Sequence, residues 1–272
     1  MFPRLVSALI VIAEYKIYEV FFMDMLSSQY VRGISLKRED IPSFNQYPFN
    51  LPSLKAMDEV PFHPKVTFLI GENGMGKSTL LEAVAVALGF NAEGGSFNFN
   101  FSTFDSHSVL GEYLKVIKGV DRPADGFFLR AESFYNVASN IEEMDREGGA
   151  PKVIDSFGGR SLHEQSHGEA FFSTFLHRFR GNGIYILDEP EAALSPLRQM
   201  SMLTRIHDLV KEHSQFIIAT HSPIIMAYPD AAIYEFSEEG IIEKKLEETN
   251  HYSIMKQFFD DKKRMLHHLL NE

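Results

Sequence analysis

The sequence contains no cysteine, and its acidic residues outnumber the basic ones by 37 to 26. Without cysteine there can be no disulfide framework, thiolate metal site or thiol nucleophile. The net charge of −11 argues against a protein that coats nucleic acid by charge alone, although a local basic groove is compatible with it. The 272 residues, 44% of them hydrophobic, suffice for one large domain or for one domain with an elaborated lobe.

The chain also lacks an apolar segment long enough to cross a bilayer. The run LVSALIVIA, Leu5–Ala13, is too short, and no small-residue cleavage site of a signal peptide follows it. Two interpretations stay open: an added strand or helix, or a leader preceding a true start at Met23 or Met25. We treat residues 1–22 as an uncertain extension and expect a cytoplasmic protein with no stable membrane insertion.

Apolar runs that alternate with helical patterns predict an α/β fold with a mainly parallel sheet. The best buried strands lie at 66–70, 126–130, 183–190 and 215–223, and the best helices follow residue 79 and cover 168–179 and 197–213. Weaker patterns predict strands at 30–39 and 111–118, a short strand or hairpin at 91–104, a hairpin at 231–246, an irregular stretch at 41–64, a polar helix stub and loop at 139–151, and a C-terminal helix at 251–272.

The segment GENGMGKST, Gly71–Thr79, stands between a strand-like and a helix-like run and matches the pattern G-x-x-x-x-G-K-[ST]. Glycines let several backbone N–H groups converge on one anion, and the helix N-terminus adds partial positive charge. We therefore predict that Lys77 contacts the terminal phosphates of a nucleotide, that Ser78 binds Mg²⁺ and that Thr79 supports the α-phosphate. The other predicted cofactor-binding residues of the loop are Gly71, Glu72, Asn73, Gly74, Met75 and Gly76.

The second motif is acidic: Asp188 and Glu189 directly follow the apolar run IYIL. In P-loop NTPases an Asp at a strand end helps to hold Mg²⁺, so Asp188 is the predicted metal ligand. Glu189 is the predicted general base that polarises water. The competing interpretation is an acidic first turn of a helix, where such residues are also favoured.

In their order along the chain these motifs resemble those of the ABC-type ATPases. QSHGE, residues 165–169, looks like a diverged form of the family signature LSGGQ, with Ser166 and Gly168 retained. ALS, residues 193–195, resembles the D-loop, and His221 matches the histidine that contacts the γ-phosphate. Glu132 is the best positional match to the Gln that contacts Mg²⁺ in the family, and it departs from that pattern.

The resemblance covers most of residues 30–236 and implies an ABC-type P-loop fold for residues 23–250. Such a fold has a mainly parallel central sheet, an antiparallel β subdomain and a small helical lobe, here about 132–180. DEPEAALSP differs from the transporter-like DEPTSALD, so the chain looks more like the stand-alone ATPases of the SMC-, RecF- and OLD-like branch. The resemblance does not identify the adenine-stacking residue, for which Phe44, Tyr47 and Phe49 are candidates.

The resemblance implies ATP and Mg²⁺ as cofactors and a homodimer in which Ser166 of one copy completes the site of the other. Three functions compete. The first is an ATPase of DNA maintenance or anti-phage defence, with a separately encoded effector such as a nuclease and with nucleic acid as a further partner. The second is the nucleotide-binding subunit of a membrane transporter. The third is a nucleotide-dependent switch with negligible turnover, against which Glu189 argues.

Overall fold

A computed structural model describes residues 29–97, 108–148 and 151–271 of the chain. The strands of this part are β1 (Val31–Leu36), β2 (Glu59–Pro61), β3 (Val66–Gly71), β4 (Leu114–Lys118), β5 (Asp125–Arg130), β6 (Gly183–Asp188), β7 (Gln215–Ala219), β8 (Ala232–Ser237) and β9 (Gly240–Glu243). The α-helices are α1 (Pro52–Lys55), α2 (Lys77–Leu88), α3 (Phe134–Glu147), α4 (His167–His177), α5 (Pro196–Lys211), α6 (Pro223–Met226), α7 (Asn250–Asp260) and α8 (Lys262–Leu270).

In the described residues, the central sheet has six strands in the order β5-β6-β7-β3-β8-β9. The first five strands run parallel to one another, and β9 returns antiparallel to β8 as a hairpin. Strands β3, β6 and β7 are buried along their whole length, as expected for central strands covered on both faces.

Side chains along these strands alternate between two cores, because successive residues of a strand point to opposite faces of the sheet. Tyr185 and Leu187 join the core that α3, α4 and α5 cover. Ile184 and Ile186 join the core that α2 and the β1 sheet cover. The predicted helical lobe therefore packs on one face of the sheet and shares its core.

A second, antiparallel sheet of the described residues has the order β2-β1-β4. The fully buried amide of Gln215 ties it to the central sheet. Its Oε1 accepts from the backbone N–H groups of Tyr30 at 3.1 Å and Val31 at 3.0 Å, and its Nε2 donates to the carbonyls of Val31 at 2.7 Å and His63 at 3.1 Å. Because these buried polar groups are paired, the two sheets have a fixed relation at the start of β7.

The predicted fold class, a mainly parallel central sheet with an antiparallel sheet and helices, is confirmed. Three element predictions need correction. Helix α3 begins at Phe134 and not at 139, because Phe134, Val137, Ala138 and Ile141 form one buried helical face. The C-terminal helix is divided at Asp261, whose backbone leaves the helical region and whose carboxylate caps α8 through Arg264 N–H. The predicted irregular stretch 41–64 contains α1 and β2.

Among the described residues, no helix combines the length and the apolar character needed to cross a membrane. The predicted extension 1–22 and the second half, residues 98–104, of the predicted strand or hairpin at 91–104 lie outside the described residues. The domain limits 23–250, 132–180 and 251–272 stay predictions.

Candidate functional site

The candidate site lies where the parallel strands β3, β6 and β7 end. Because parallel neighbours end at the same edge of a sheet, the loops that follow them meet there. Asp188 ends β6 opposite Ala219, which ends β7, and the N–H of Glu189 donates to the carbonyl of Ala219 at 2.9 Å. The sheet register therefore places the acidic motif beside the loop that carries His221.

The glycine loop connects β3 to α2 through conformations that suit glycine. Gly71 has φ +136°, and a Cβ there would lie 2.4 Å from the carbonyl oxygen of Phe236. Gly76 has φ +93° and precedes the first residue of α2, and among the described residues no side chain caps that helix. The loop thus presents an uncapped helix N-terminus, which favours an anion.

Lys77 is buried beneath this loop. Its Nζ donates to the carbonyls of Gly71 at 2.7 Å and Glu72 at 3.0 Å. Burial lowers the pKa of Lys77, and the nearby carboxylates of Glu189 and Asp188 oppose that shift. The ammonium group is therefore held in the cleft by backbone acceptors and can exchange them for oxygens of an anion.

Ser78 and Asp188 form the second part of the site. The hydroxyl of Ser78 donates to Asp188 Oδ1 at 3.0 Å. The other carboxylate oxygen, Oδ2, lies 3.3 Å from Nε of Arg130, whose Nη1 donates to Glu82 at 2.7 Å. Burial raises the pKa of Asp188 to about 6, against the opposing effects of Arg130 and Ser78.

Glu189 and His221 form the third part. Glu189 adopts a left-handed backbone with φ +48°, which is uncommon for a residue other than glycine and concentrates at functional sites. Its Oε1 lies 3.6 Å from Nε2 of His221. The loop of His221 is held by the partly buried carboxylate of Glu191, which accepts from the His221 backbone N–H and from the Thr220 hydroxyl at 2.8 Å.

A cleft joins these parts. Its lining contains the predicted residues Asn73, Gly74, Gly76, Lys77, Ser78, Thr79, Glu132 and Glu189, and it also includes Leu51 and the aromatic candidate Tyr47. Of the three aromatic candidates, Tyr47 is exposed and its hydroxyl lies 3.2 Å from Thr79 Oγ1. Phe49 is buried in the core, and Phe44 packs against that core under the Arg38 guanidinium. Of the three candidates, Tyr47 is the one that lines the cleft.

Other predicted residues lie outside this cleft. Gly71, Glu72 and Met75 line the opposite side of the loop, next to His251. Ser166 is exposed at the N-terminus of α4, where its N–H and hydroxyl donate to Glu169 at 3.1 and 2.7 Å. Glu169, which departs from the family signature, thus completes a capping box of its own helix.

Gly168 lies close to the turn that follows Glu189. A Cβ on Gly168 would lie 2.5 Å from the carbonyl of Ala193, so the signature segment packs directly on that turn. The side chain of Glu132 is 87% exposed and lies 3.8 Å from Arg130. Glu132 can therefore reach the cleft, but the contacts of the described residues do not fix its carboxylate there.

The residues present fit a magnesium nucleotide. An uncapped helix N-terminus, three positive-φ glycines and a lysine suit a chain of phosphates. The paired hydroxyl and carboxylate of Ser78 and Asp188 are oxygen ligands of the kind that Mg²⁺ prefers.

The sequence did not reveal Arg130, Glu82, Glu191 and His251. Arg130 ends the apolar run GFFL as Asp188 ends IYIL, and the register pairs these two residues. A charged residue at the end of a buried strand could therefore have indicated Arg130 as a site residue. Its contact with Asp188, however, could be predicted only by knowing that β5 and β6 are neighbours. Glu82 gave a weaker signal as the single charge in the apolar helix after the glycine loop.

Comparisons with known proteins agree with this geometry. Residues 44–144 match a family described as an AAA domain, and residues 161–227 match one described as "AAA domain, putative AbiEii toxin, Type IV TA system". The energy-coupling factor transporter ATP-binding protein EcfA of Methanosphaera stadtmanae is 25% identical over 79% of this chain and 78% of that protein. The ribose import ATP-binding protein RbsA of Yersinia pestis is 28% identical over 68% of this chain, which spans 38% of that relative.

Among solved structures, the SMC head domain from Thermotoga maritima is similar at 17% identity with a TM-score of 0.43, covering 80% of this chain and all of that one. A likeness of that extent adds nothing to the assignment, which depends on the family matches, the relatives and the site. The fold and the glycine loop define a P-loop NTPase domain with matches to AAA families. Within that class the chain is similar to transporter ATP-binding proteins, which supports the predicted resemblance to the ABC-type ATPases.

Proposed function

We propose that this protein binds and hydrolyses ATP with Mg²⁺, and that two copies close on the nucleotide to change the conformation of a partner. One observation carries the proposal. Residues of three separate segments, namely Lys77 and Ser78, Asp188 and Glu189, and His221, meet at one edge of the sheet. A glycine loop alone is compatible with binding, whereas a base beside it is needed for turnover.

Bound Mg²⁺ would supply charge neutralisation on the phosphates. Ser78 and Asp188 would hold the metal, with Glu132 as a third ligand. Lys77 would bind phosphate oxygens in place of the two loop carbonyls. Glu189 would accept a proton from the attacking water, and His221, beside it, would donate a hydrogen bond to the terminal phosphate.

We propose that Ser166 and Gly168 serve the nucleotide site of a second copy. Both residues lie at the start of α4, outside their own cleft, and Ser166 is exposed. The N-terminus of this helix can bind an anion presented by another molecule. By symmetry, the glycine loop of each copy would face the start of α4 of the other copy. ATP bound between them would then hold the homodimer together, and hydrolysis would release it.

For the biological role we propose DNA maintenance or anti-phage defence in the cytoplasm, with a separately encoded effector such as a nuclease. The match of residues 161–227 to a family described as a putative toxin of a toxin–antitoxin system supports this role. If DNA stimulates ATP turnover, this would support nucleic acid as a partner in the proposed role.

A second candidate is the nucleotide-binding subunit of a membrane transporter. The names of the relatives, transporter and import ATP-binding proteins, favour it. The two roles differ in their partners. Affinity purification of the tagged chain from its native cells would recover integral membrane proteins if the transporter role is right, and a soluble effector or DNA if it is not.

The test of the chemistry separates binding from turnover in the purified chain. Lys77→Ala should lose ATP binding, measured with a fluorescent ATP analogue. Glu189→Gln should retain binding and lose turnover by at least about 100-fold, the contribution expected of a general base. Lys118→Ala and Glu147→Gln, at exposed positions, serve as matched controls. Binding without turnover in the wild type would instead make the chain a nucleotide-dependent switch.

A further inference from the structure

The C-terminal helix α7 contacts His221 of the candidate site through the side chain of His251. The start of α7 is fixed by Thr249, which is fully buried. The Thr249 hydroxyl donates to the carbonyl of Leu246 at 2.8 Å and accepts from the N–H of Tyr252 at 3.3 Å. No side chain within α7 itself is buried. His251, in the first turn, is therefore held next to His221 by a buried cap, and the apolar core contributes little to its placement.

The two histidines and Glu189 form a chain of contacts. Nδ1 of His221 lies 3.1 Å from Nε2 of His251, which is hydrogen-bonding distance. Nε2 of His221 lies 3.6 Å from Oε1 of Glu189. Among the described residues, Nε2 of His221 and Nδ1 of His251 are buried and have no hydrogen-bond partner. Each ring thus makes its one close hydrogen bond to the other ring.

The charge of Glu189 favours one of the two arrangements that neutral rings can adopt along this chain. A carboxylate repels the lone pair of an unprotonated nitrogen, so the Glu189 carboxylate at 3.6 Å favours the proton on the facing nitrogen, Nε2 of His221. The other nitrogen of a neutral imidazole is then an acceptor. Nδ1 of His221 must accept, and Nε2 of His251 must donate. Burial and the charge of Lys77 lower the pKa of His221, which agrees with a neutral ring.

We propose that His251 is a positioning residue that holds His221 in the tautomer protonated at Nε2, and so links the C-terminal helix α7 to the candidate nucleotide site. The His221 ring then presents an N–H donor toward the cleft. A ring free to exchange tautomers would present an unprotonated nitrogen for part of the time. The hydrogen bond at the other nitrogen of a histidine commonly decides which nitrogen acts.

The direct test is long-range ¹H–¹⁵N NMR of the histidine rings in the full chain without nucleotide. The His221 signals can be assigned by their loss in His221→Gln. We expect wild-type His221 to carry its proton on Nε2. His251→Phe removes the donor and keeps a ring, and it should give a mixture of tautomers. His251→Gln, which can offer an amide N–H, should restore the wild-type signals. His268→Ala, exposed on α8, is the matched control and should leave them unchanged.

A wild-type His221 protonated at Nδ1 would overturn the proposal, and so would a tautomer that stays the same in His251→Phe. The wild-type spectrum decides this even if a variant fails to fold. A second readout rests on the proposed function. In His251→Phe, kcat should fall about 2- to 10-fold, the range expected for one neutral hydrogen bond, with unchanged affinity for the ATP analogue. An unchanged kcat would contradict the link to the site.

These two readouts fail separately. If the wild-type chain hydrolyses no ATP, the proposed function is wrong, and the NMR spectra still test the arrangement of His251 and His221. If ATP is hydrolysed and the tautomer does not depend on His251, the positioning role alone is wrong.

Discussion

Replacing Asp188 by Asn should stabilise the protein at neutral pH while removing a proposed metal ligand. The carboxyl group is buried and its pKa is raised from 3.8 to about 6. Burial is the largest cause, and the attraction of Arg130 and the hydrogen bond from Ser78 oppose it. Asn has nearly the same shape and keeps an acceptor for Ser78, but it cannot ionise.

The sign of the effect follows from proton binding. Because the folded-state pKa is above the unfolded-state value of 3.8, the folded protein binds more protons between the two values. The contribution of the Asp188 carboxyl group to the free energy of unfolding is fully present below pH 3.8 and is lost as the pH rises to about 6. A shift of about two pKa units corresponds to about 3 kcal/mol, since each unit is worth about 1.36 kcal/mol. Asp188→Asn should therefore gain up to about 3 kcal/mol at pH 8, and most of this gain should be absent at pH 4.

Urea denaturation from pH 4 to pH 8 in the presence of EDTA measures this difference. Asp58→Asn is the matched control, because the Asp58 side chain is 91% exposed and its replacement should change the free energy of unfolding little at any pH. The reasoning fails if Asp188→Asn is less stable than the wild type at pH 8, or if its gain does not shrink as the pH falls.

Three further substitutions test the packing around the site. Tyr185→Phe removes a buried hydroxyl that donates to Asp125 at 2.9 Å, and it should cost about 1–3 kcal/mol in urea denaturation. Gly71→Ala, whose Cβ would meet a backbone carbonyl at 2.4 Å, should reduce stability more than Gly89→Ala, which has a similar positive φ but no atom within 4 Å; equal effects would contradict the close approach. Gln215→Leu leaves backbone groups of Tyr30, Val31 and His63 without their side-chain partner and should cost at least about 2 kcal/mol, and hydrogen exchange should show faster opening of β1 than of β3.

The parts of the site that follow local patterns could be predicted from the sequence. Asp188 and Glu189 directly follow an apolar run, so their place at a strand end required only the period of that run. Lys77 and Ser78 belong to a motif whose spacing specifies the loop. These predictions depend on neighbours in sequence. In the structure Lys77, Ser78 and Glu189 line one cleft, and Asp188 accepts a hydrogen bond from Ser78.

The parts that depend on which strands and helices become neighbours could not be predicted. Arg130 meets Asp188 only because β5 is next to β6 in register. His251 meets His221 only because the C-terminal helix returns to the end of β7. Tyr47 and Phe49 are two residues apart in an irregular segment, and only tertiary packing makes one exposed and the other buried. Sequence patterns specify elements, whereas such contacts depend on long-range topology.

The most direct test of the central claim is the mass of Glu189→Gln in solution, measured by light scattering with and without Mg-ATP. The variant should bind ATP, fail to hydrolyse it and accumulate as a dimer, because hydrolysis is the step that releases the two copies. Adding Ser166→Arg, which places a large cation at the exposed start of α4, should abolish the dimer while ATP binding stays. A Glu189→Gln chain that remains monomeric at saturating ATP would contradict the account of two copies closing on the nucleotide.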